Sequence, residues 1–297
     1  MREESMTVTQ LEPGLRRIIA PNPSPMTFNG TNTFLVGDRD VAVIDPGPMS
    51  EPHLAAILAA LAPGQRITHI LVTHSHLDHS PLARSLSDAT GAPVMAAGAS
   101  DWGRSPSMQA LAEDGLIGGG EGRDADFVPD VVLGDREIIT ARDWRIEALH
   151  TPGHMANHLS FGWTGALFCG DLVMGWSSSL ISPPDGDLAA FRASLGRLLA
   201  RHDRVFYPAH GEAIPTPRAR CRELLDHREA RGAQILTALA DGAATPRDLA
   251  NRIYTDIPAQ MLPAAERNVL AHLVDLVDRN IVTLEPPLSP SARFACR

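Results

Sequence analysis

Lysine is absent from this sequence: all 26 basic residues are arginine. Schiff-base lysine chemistry and a phosphate-binding P-loop are thereby excluded. Acidic residues number 35, for a net charge of −9, which speaks against nucleic acid as the main partner, since phosphate binding is driven by clustered positive charge. Cysteine is scarce. Cys169, Cys221 and Cys296 are an odd number at wide spacing with no CxxC, as expected for a reducing compartment. No apolar run approaches the ~20 residues of a membrane helix, and the opening MREESMTVTQLEPGLRR lacks the apolar stretch of a secretory signal. The expectation is a cytoplasmic, soluble protein with no membrane partner. The composition is globular, 44% apolar and 21% charged. A chain of 297 residues buries roughly 75% of its unfolded surface and needs no disulfide staple.

Residues 1–215 read as one α/β domain. TNTFLVG (31–37) and VAVIDPG (41–47), separated by Asp38-Arg39-Asp40, predict a hairpin. HLAAILAALAP (53–63) has helical spacing and stops at Pro63-Gly64, whereas ITHILVT (67–73) has the pattern of a buried strand. A helix is expected over 81–91, closed by Gly91, then a strand over 92–96. Four short strands are expected between 136 and 170, an amphipathic helix over 187–202, and a strand with a tight turn over 204–211. The Gly-, Asp- and Pro-rich stretch 97–135 reads as a surface insertion: a lid, an oligomer contact or a plain mobile loop.

Residues 216–297 read as a second, mostly helical domain. A long helical stretch ends at Asp241-Gly242, and a short helix follows with Thr245 as N-cap and Pro246 in its first turn. Over 265–280, Val269, Leu270, Leu273, Leu276 and Val277 form one apolar stripe. IVTLEPP then reads as a strand or wing, so the order is winged-helix-like. This segment holds 11 arginines against 10 acidic residues, so the negative charge lies in the first 215 residues.

The segment that carries chemistry is LVTHSHLDHS (71–80), which sets His74, His76, Asp78 and His79 directly after a buried strand. Imidazole nitrogen and carboxylate oxygen are ligands of Zn²⁺ and its neighbours. Two cations ~3.5–4 Å apart need such a dense cluster plus a shared ligand. Three further ionisable residues, His154 in TPGHMANH, Asp171 in ALFCGD and His210 in FYPAHG, each follow an apolar run. His158, four residues after His154, reads as a substrate contact or a structural hydrogen-bonding residue. Cys169 reads as a core residue or a thiol behind the site, and His69 as a satisfied core histidine.

HSHLDH, PGH, GD and the final PAHG turn together resemble the metallo-β-lactamase-fold hydrolases over about residues 15–215. Ala209 stands where a glycine is common. The resemblance implies an α/β fold, an αββα sandwich with two metals at one edge. It implies His74, His76 and His154 as ligands of the first metal, Asp78, His79 and His210 of the second, and Asp171 as the bridge. Asp45, in IDPG, matches a position that supports the ligand loops. The implied activity is hydrolysis by a hydroxide shared between two divalent cations, with Asp78 as catalytic residue orienting it and relaying a proton. Zinc is expected first; manganese and iron accept the same donors.

The TNTFLVG start, TPGHMANH, the HREARGAQIL helix and the winged-helix-like tail are similar to the lactamase-beta-2-like branch of this family, which holds both a single-strand endoribonuclease and acyl-carrier thioesterases. The acidic charge and missing lysine favour a small-molecule or acyl substrate, an ester or thioester. Five arginines between 218 and 231 keep RNA as the alternative substrate. A metal-sensing nucleic-acid binder is the non-enzymatic alternative. A homo-oligomer is left open.

Overall fold

The computed structural model describes residues 7–297; Met1–Met6, the start of the stretch read as lacking a secretory signal, lie outside the described residues. Two sheets lie face to face. The first runs in the order β1 (Thr9–Glu12), β2 (Leu15–Ile19), β3 (Asn32–Val36), β4 (Asp40–Ile44), β5 (Arg66–Leu71), β6 (Val94–Ala96), β7 (Val131–Val132). It is antiparallel up to β4 and parallel from there on. The second sheet comprises β8 (Ile138–Thr140), β9 (Arg145–His150), β10 (Leu159–Trp163), β11 (Ala166–Gly170) and β12 (Val205–Pro208), with β12 alone joining in parallel.

Side-chain alternation explains the layering. In β3 and β4, Phe34, Val36, Ala42 and Ile44 point between the sheets, to meet Ile146, Ala148, Phe161, Phe168 and Tyr207 of the second sheet. The alternate residues Leu35, Val41 and Val43 face outward against helices α1 (Glu51–Ala59) and α2 (Leu82–Thr90). Leu167, Cys169 and Phe206 do the same on the far side, against α4 (Leu188–Leu199) and the first half of α5 (Pro217–Leu239). Strands covered on both faces must be apolar throughout, which is why they read as continuous apolar runs. Local signals set the helix ends. Ser50 accepts a hydrogen bond from the His53 amide, and Gly91 closes α2 in the left-handed region at φ 73°.

The remaining helices form their own core. Ile235 and Leu239 of α5, Leu249 of α6 (Pro246–Ile253), Val269, Leu270 and Leu273 of α7 (Leu262–Asp278), and Phe294 pack together. The expected wing is a hairpin of β13 (Val282–Leu284) with β14 (Phe294–Cys296). Thr245 caps α6 and forms a reciprocal capping box with Asp248. α5 therefore serves both cores, with Cys221 and Leu224 on the sandwich and Ile235 and Leu239 on the tail.

The sequence reading did not anticipate β1, β2, β7, β14 or helix α3 (Pro106–Glu113). α3 lies inside the stretch read as an insertion, yet Met108 and Leu111 are buried in the C-terminal core. That stretch is thus neither a bare loop nor free of the second core. Its short helix lacks the apolar repeat that would flag it. α7 also begins at Leu262, ahead of the stripe used to locate it.

His272, on α7, is 1% exposed. Burial, with the nearby Arg228, Arg192 and Arg231 charges, pushes its pKa down to about 3. The unfolded chain then takes a proton that the fold refuses. The stability present above the unfolded value near ~6.5 is lost as pH falls toward the folded one, at ~1.4 kcal/mol per pH unit. Urea unfolding between pH 6 and 4 is expected to show a shallower loss of stability for His272→Gln than for the unaltered protein; parallel curves contradict this.

Candidate metal centre

The strands of both sheets end at one edge, and their exits carry the chemistry. β5 leads into His74, His76, Asp78 and His79. β9 leads into the turn bearing His154, β11 into Asp171 and β12 into His210. Two of these exits require glycine. A Cβ on Gly170 would sit 2.5 Å from His158 Nε2, and one on Gly153 would sit 2.3 Å from the Phe191 Cα.

All seven side chains from the sequence reading meet here, each buried. His74, His76, His154 and Asp171 offer donor atoms within 4.8 Å of one another, and so do Asp78, His79, Asp171 and His210. Asp171 belongs to both groups.

Outer hydrogen bonds orient the rings. Thr73 Oγ1 donates to Asp45 Oδ2 at 2.7 Å. Its contact with His74 Nδ1 at 3.0 Å is therefore one in which the imidazole donates. His154 Nδ1 donates to the Leu180 carbonyl at 2.7 Å, His79 Nδ1 to Asp45 Oδ2 at 3.1 Å, and His210 Nδ1 to the Gly30 carbonyl at 3.3 Å. With each proton on the outer nitrogen, four Nε2 atoms face inward. They converge on His76 Nδ1 and on the two carboxylates. His74 Nε2 and His154 Nε2 both lie 3.0 Å from His76 Nδ1. His79 Nε2 lies 3.2 Å from Asp78 Oδ2, and His210 Nε2 lies 3.1 Å from Asp78 Oδ2 and 3.2 Å from Asp171 Oδ1.

This donor set fits cations. Asp78 Oδ1, Asp171 Oδ1 and His79 Nε2 are buried with no hydrogen-bond partner among the described residues, an arrangement that costs free energy unless something positive lies between them. The electrostatics agree. Burial opposes charge on His79 and His210, but the carboxylates outweigh it: Asp78, Asp171 and Asp45 raise His79 well above its usual range, and Asp171 with Asp78 raises His210 to about 10. The carboxyls of Asp78 and Asp171 are held low by those imidazoles against the effect of burial. On the other side, burial and the neighbouring imidazoles push His76 down to about 3 and His74 well below its usual value.

The other candidates separate clearly. Asp45, at φ 49°, accepts from the Thr73 amide at 2.7 Å as well as from Thr73 Oγ1 and His79, so it ties two ligand-bearing segments together. His158 is fully buried behind His74, ring centroids 5.1 Å apart, with Nδ1 on Thr151 Oγ1; it does not line the cavity described below. Cys169 is a core residue on the α4 side. His69 bonds Thr68 and packs edge-on against Trp144. Sequence reasoning missed Thr73, although it directly precedes His74, and missed the Leu180 and Gly30 carbonyls, which have no side-chain signature.

A cavity of ≈ 260 Å³ opens onto His76, Asp78, His154, Asp171 and His210. Its walls are Met26, Met174, Trp176 and Leu180 from the sandwich, and Tyr254, Ile257 and Met261 from the tail. The sequence reading assigned no residue of the tail to this wall.

Comparison with known proteins gives a consistent picture. The family model described as Metallo-beta-lactamase superfamily matches residues 26–210, and that described as Beta-lactamase associated winged helix domain matches residues 245–286. A Beta-lactamase-like protein 2 homolog of Drosophila melanogaster is 28% identical, over 91% of this chain and 89% of its own. An atrochrysone carboxyl ACP thioesterase of Passalora fulva is 32% identical, over 92% of this chain and 77% of its own. The crystal structure of a metallo-beta-lactamase family protein from Thermus thermophilus superposes with a TM-score of 0.77 at 26% identity, covering 97% of this chain and all of that one.

Metal analysis after dialysis against graded chelator tests the centre. The unaltered protein is expected to retain close to two divalent transition-metal ions per chain, and Asp171→Ala fewer than one. Thr73→Val removes the partner of His74 and is expected to weaken retention ~10–100-fold. Two ions held by Asp171→Ala would contradict the reading.

Proposed function

The chain belongs to the metallo-β-lactamase superfamily and is a metal-dependent hydrolase of that family; from that premise we propose that it cleaves an ester, thioester or related acyl bond of a substrate with an apolar acyl portion. The observation that carries this reading is the cavity wall. Above a ring of His and Asp, apolar side chains such as Met26, Met174, Trp176, Leu180, Ile257 and Met261 outnumber the polar Glu121, Ser177, Ser178 and Asn268, and no arginine lines it among the described residues. Such a wall favours an apolar acyl group and offers nothing to a chain of phosphates. The name of the Passalora fulva relative, an ACP thioesterase, supports the same class.

His74, His76, His154 and Asp171 would hold one divalent cation, and Asp78, His79, His210 and Asp171 the other. Five imidazoles and two carboxylates suit zinc first. Such cations supply Lewis acidity, making water a better acid and a carbonyl a better electrophile. Asp171 sets the spacing of the two groups because it touches both. Asp78 is the catalytic residue. Its Oδ2 lies 3.2 Å from His79 Nε2 and 3.1 Å from His210 Nε2, whereas Oδ1 has no hydrogen-bond partner and the side chain lines the cavity. As the oxygen of water adds to the acyl carbon, Asp78 Oδ1 accepts its proton and returns it to the departing oxygen or sulfur, leaving a carboxylic acid and an alcohol or thiol. The apolar wall excludes other water and lines up the acyl group.

Most of the five arginines that kept RNA in view serve the fold. Arg218 holds the Leu199 and Arg201 carbonyls, Arg220 the Met174 and Ser177 carbonyls, and Arg231 stacks over Tyr254. α7 is buried along most of its length, which does not favour its entry into a nucleic-acid groove. We divide the chain at residues 215 and 216 into a catalytic domain and a helical tail, with α5 shared between their cores. Three free cysteines support a cytoplasmic setting, and among the described residues no helix is long and apolar enough to cross a membrane.

A series of p-nitrophenyl esters from acetate to octanoate tests the proposal, with single-stranded RNA and bis-p-nitrophenyl phosphate alongside. kcat/KM is expected to rise up to about fourfold per added methylene, the equivalent of ~0.8 kcal/mol of apolar burial, until the chain fills the cavity. Ile257→Asp should flatten the series, and RNA should stay intact. RNA cleavage without acyl hydrolysis would overturn the assignment.

A further inference from the structure

Helices α5 and α7 carry none of the seven clustered residues, yet they reach His154 through the loop that follows Asp171. Arg228 of α5 is among the largest fully buried side chains and has no carboxylate partner among the described residues. Its Nη2 donates to the Ser179 carbonyl, and its Nη1 donates to Asn268 Oδ1 at 3.2 Å. Asn268, on α7, accepts a second hydrogen bond on the same oxygen, from the Ile181 amide at 3.1 Å. Between these two anchors lies Leu180, whose carbonyl accepts from His154 Nδ1 at 2.7 Å. The Arg228 guanidinium also stacks over Phe191, 5.2 Å from its centroid. Phe191 in turn backs directly onto Gly153, next to His154.

A buried guanidinium without an anion is costly. Burial lowers its pKa to about 10, so it remains charged at neutral pH. Packing alone would be served as well by a leucine or methionine. What the guanidinium adds is two directed donors a fixed distance apart, one on each side of the loop's supports.

We propose that Arg228 and Asn268 are positioning residues of the metal centre: by fixing Ser179 and Ile181 they hold the Leu180 carbonyl against His154 Nδ1, which keeps His154 Nε2 unprotonated and facing His76 and Asp171. The tail then acts on the centre through a backbone carbonyl as well as walling the cavity. This rests on the reading that the cluster binds cations. It concerns only one of the two groups, since His79 and His210 donate their outer protons to Asp45 and to the Gly30 carbonyl, and Asp78 accepts from Thr31 Oγ1 at 3.5 Å.

The test uses the full chain, freed of metal with chelator and titrated with Co²⁺ against a competing chelator. Visible absorption follows each binding step, and a thermal melt checks the fold. Arg228→Gln and Asn268→Ala are each expected to weaken one step ~10–100-fold and to leave the other within about twofold. Arg222→Gln, an exposed residue of the same helix, should match the unaltered protein. If Arg228→Gln does not fold, Asn268→Ala decides alone. Folded variants with both steps unchanged, or with both weakened equally, overturn the proposal. If the unaltered protein takes up no Co²⁺, the metal reading fails and the proposal fails with it, an outcome distinct from normal uptake that the variants leave untouched.

Discussion

Four imidazoles give their outer protons to fixed acceptors and turn their inner nitrogens onto His76 and two carboxylates. Everything else about this protein answers to that concentration of acceptors. In a dry interior such an assembly repels itself unless positive charge lies within it. Protons satisfy it only in part: His79 and His210 are drawn toward their charged forms, while buried oxygens of Asp78 and Asp171 still lack partners. A pair of divalent cations satisfies the whole set.

The sandwich exists to hold these groups still. Strands buried on both faces cannot shift register without exposing apolar side chains, so their ends make a rigid edge. Loops leaving that edge are pinned again: by Asp45 between Thr73 and His79, by Asn32 Nδ2 on the Pro208 and Gly211 carbonyls around His210, and by the tail's arginine and asparagine around Leu180. A lysine-free chain suits this role. Guanidinium groups reach two carbonyls at once, as Arg220 does, or a carbonyl and an amide oxygen, as Arg228 does, where an ammonium is a single point of charge.

The parts visible in the sequence are those whose signal is local. HSHLDH packs four of the seven groups into six residues, and Gly91, Thr245 and Pro246 mark helix ends by backbone chemistry that any context respects. The hidden parts are those whose meaning is tertiary. α3 reads as loop because Met108 and Leu111 are its only buried residues, and the core they join lies more than a hundred residues further along the chain. The tail's share of the cavity, Tyr254, Ile257 and Met261, sits in a segment with no chemistry of its own. The carbonyls of Gly30 and Leu180 orient two histidines, yet a carbonyl is common to every residue and leaves no trace in a one-dimensional reading. Arg228 was visible only as one basic residue among five, a count that pointed toward RNA, whereas its neighbours show a residue turned inward.

The central claim is that the inward-facing lone pairs share a pair of cations. Anomalous diffraction from crystals of the protein grown with zinc tests it most directly. The account predicts two peaks ~3.5–4 Å apart, one contacted by His74, His76 and His154, the other by Asp78, His79 and His210, and both by Asp171. A single peak, or zinc bound elsewhere while these seven side chains keep their positions around water alone, would contradict it.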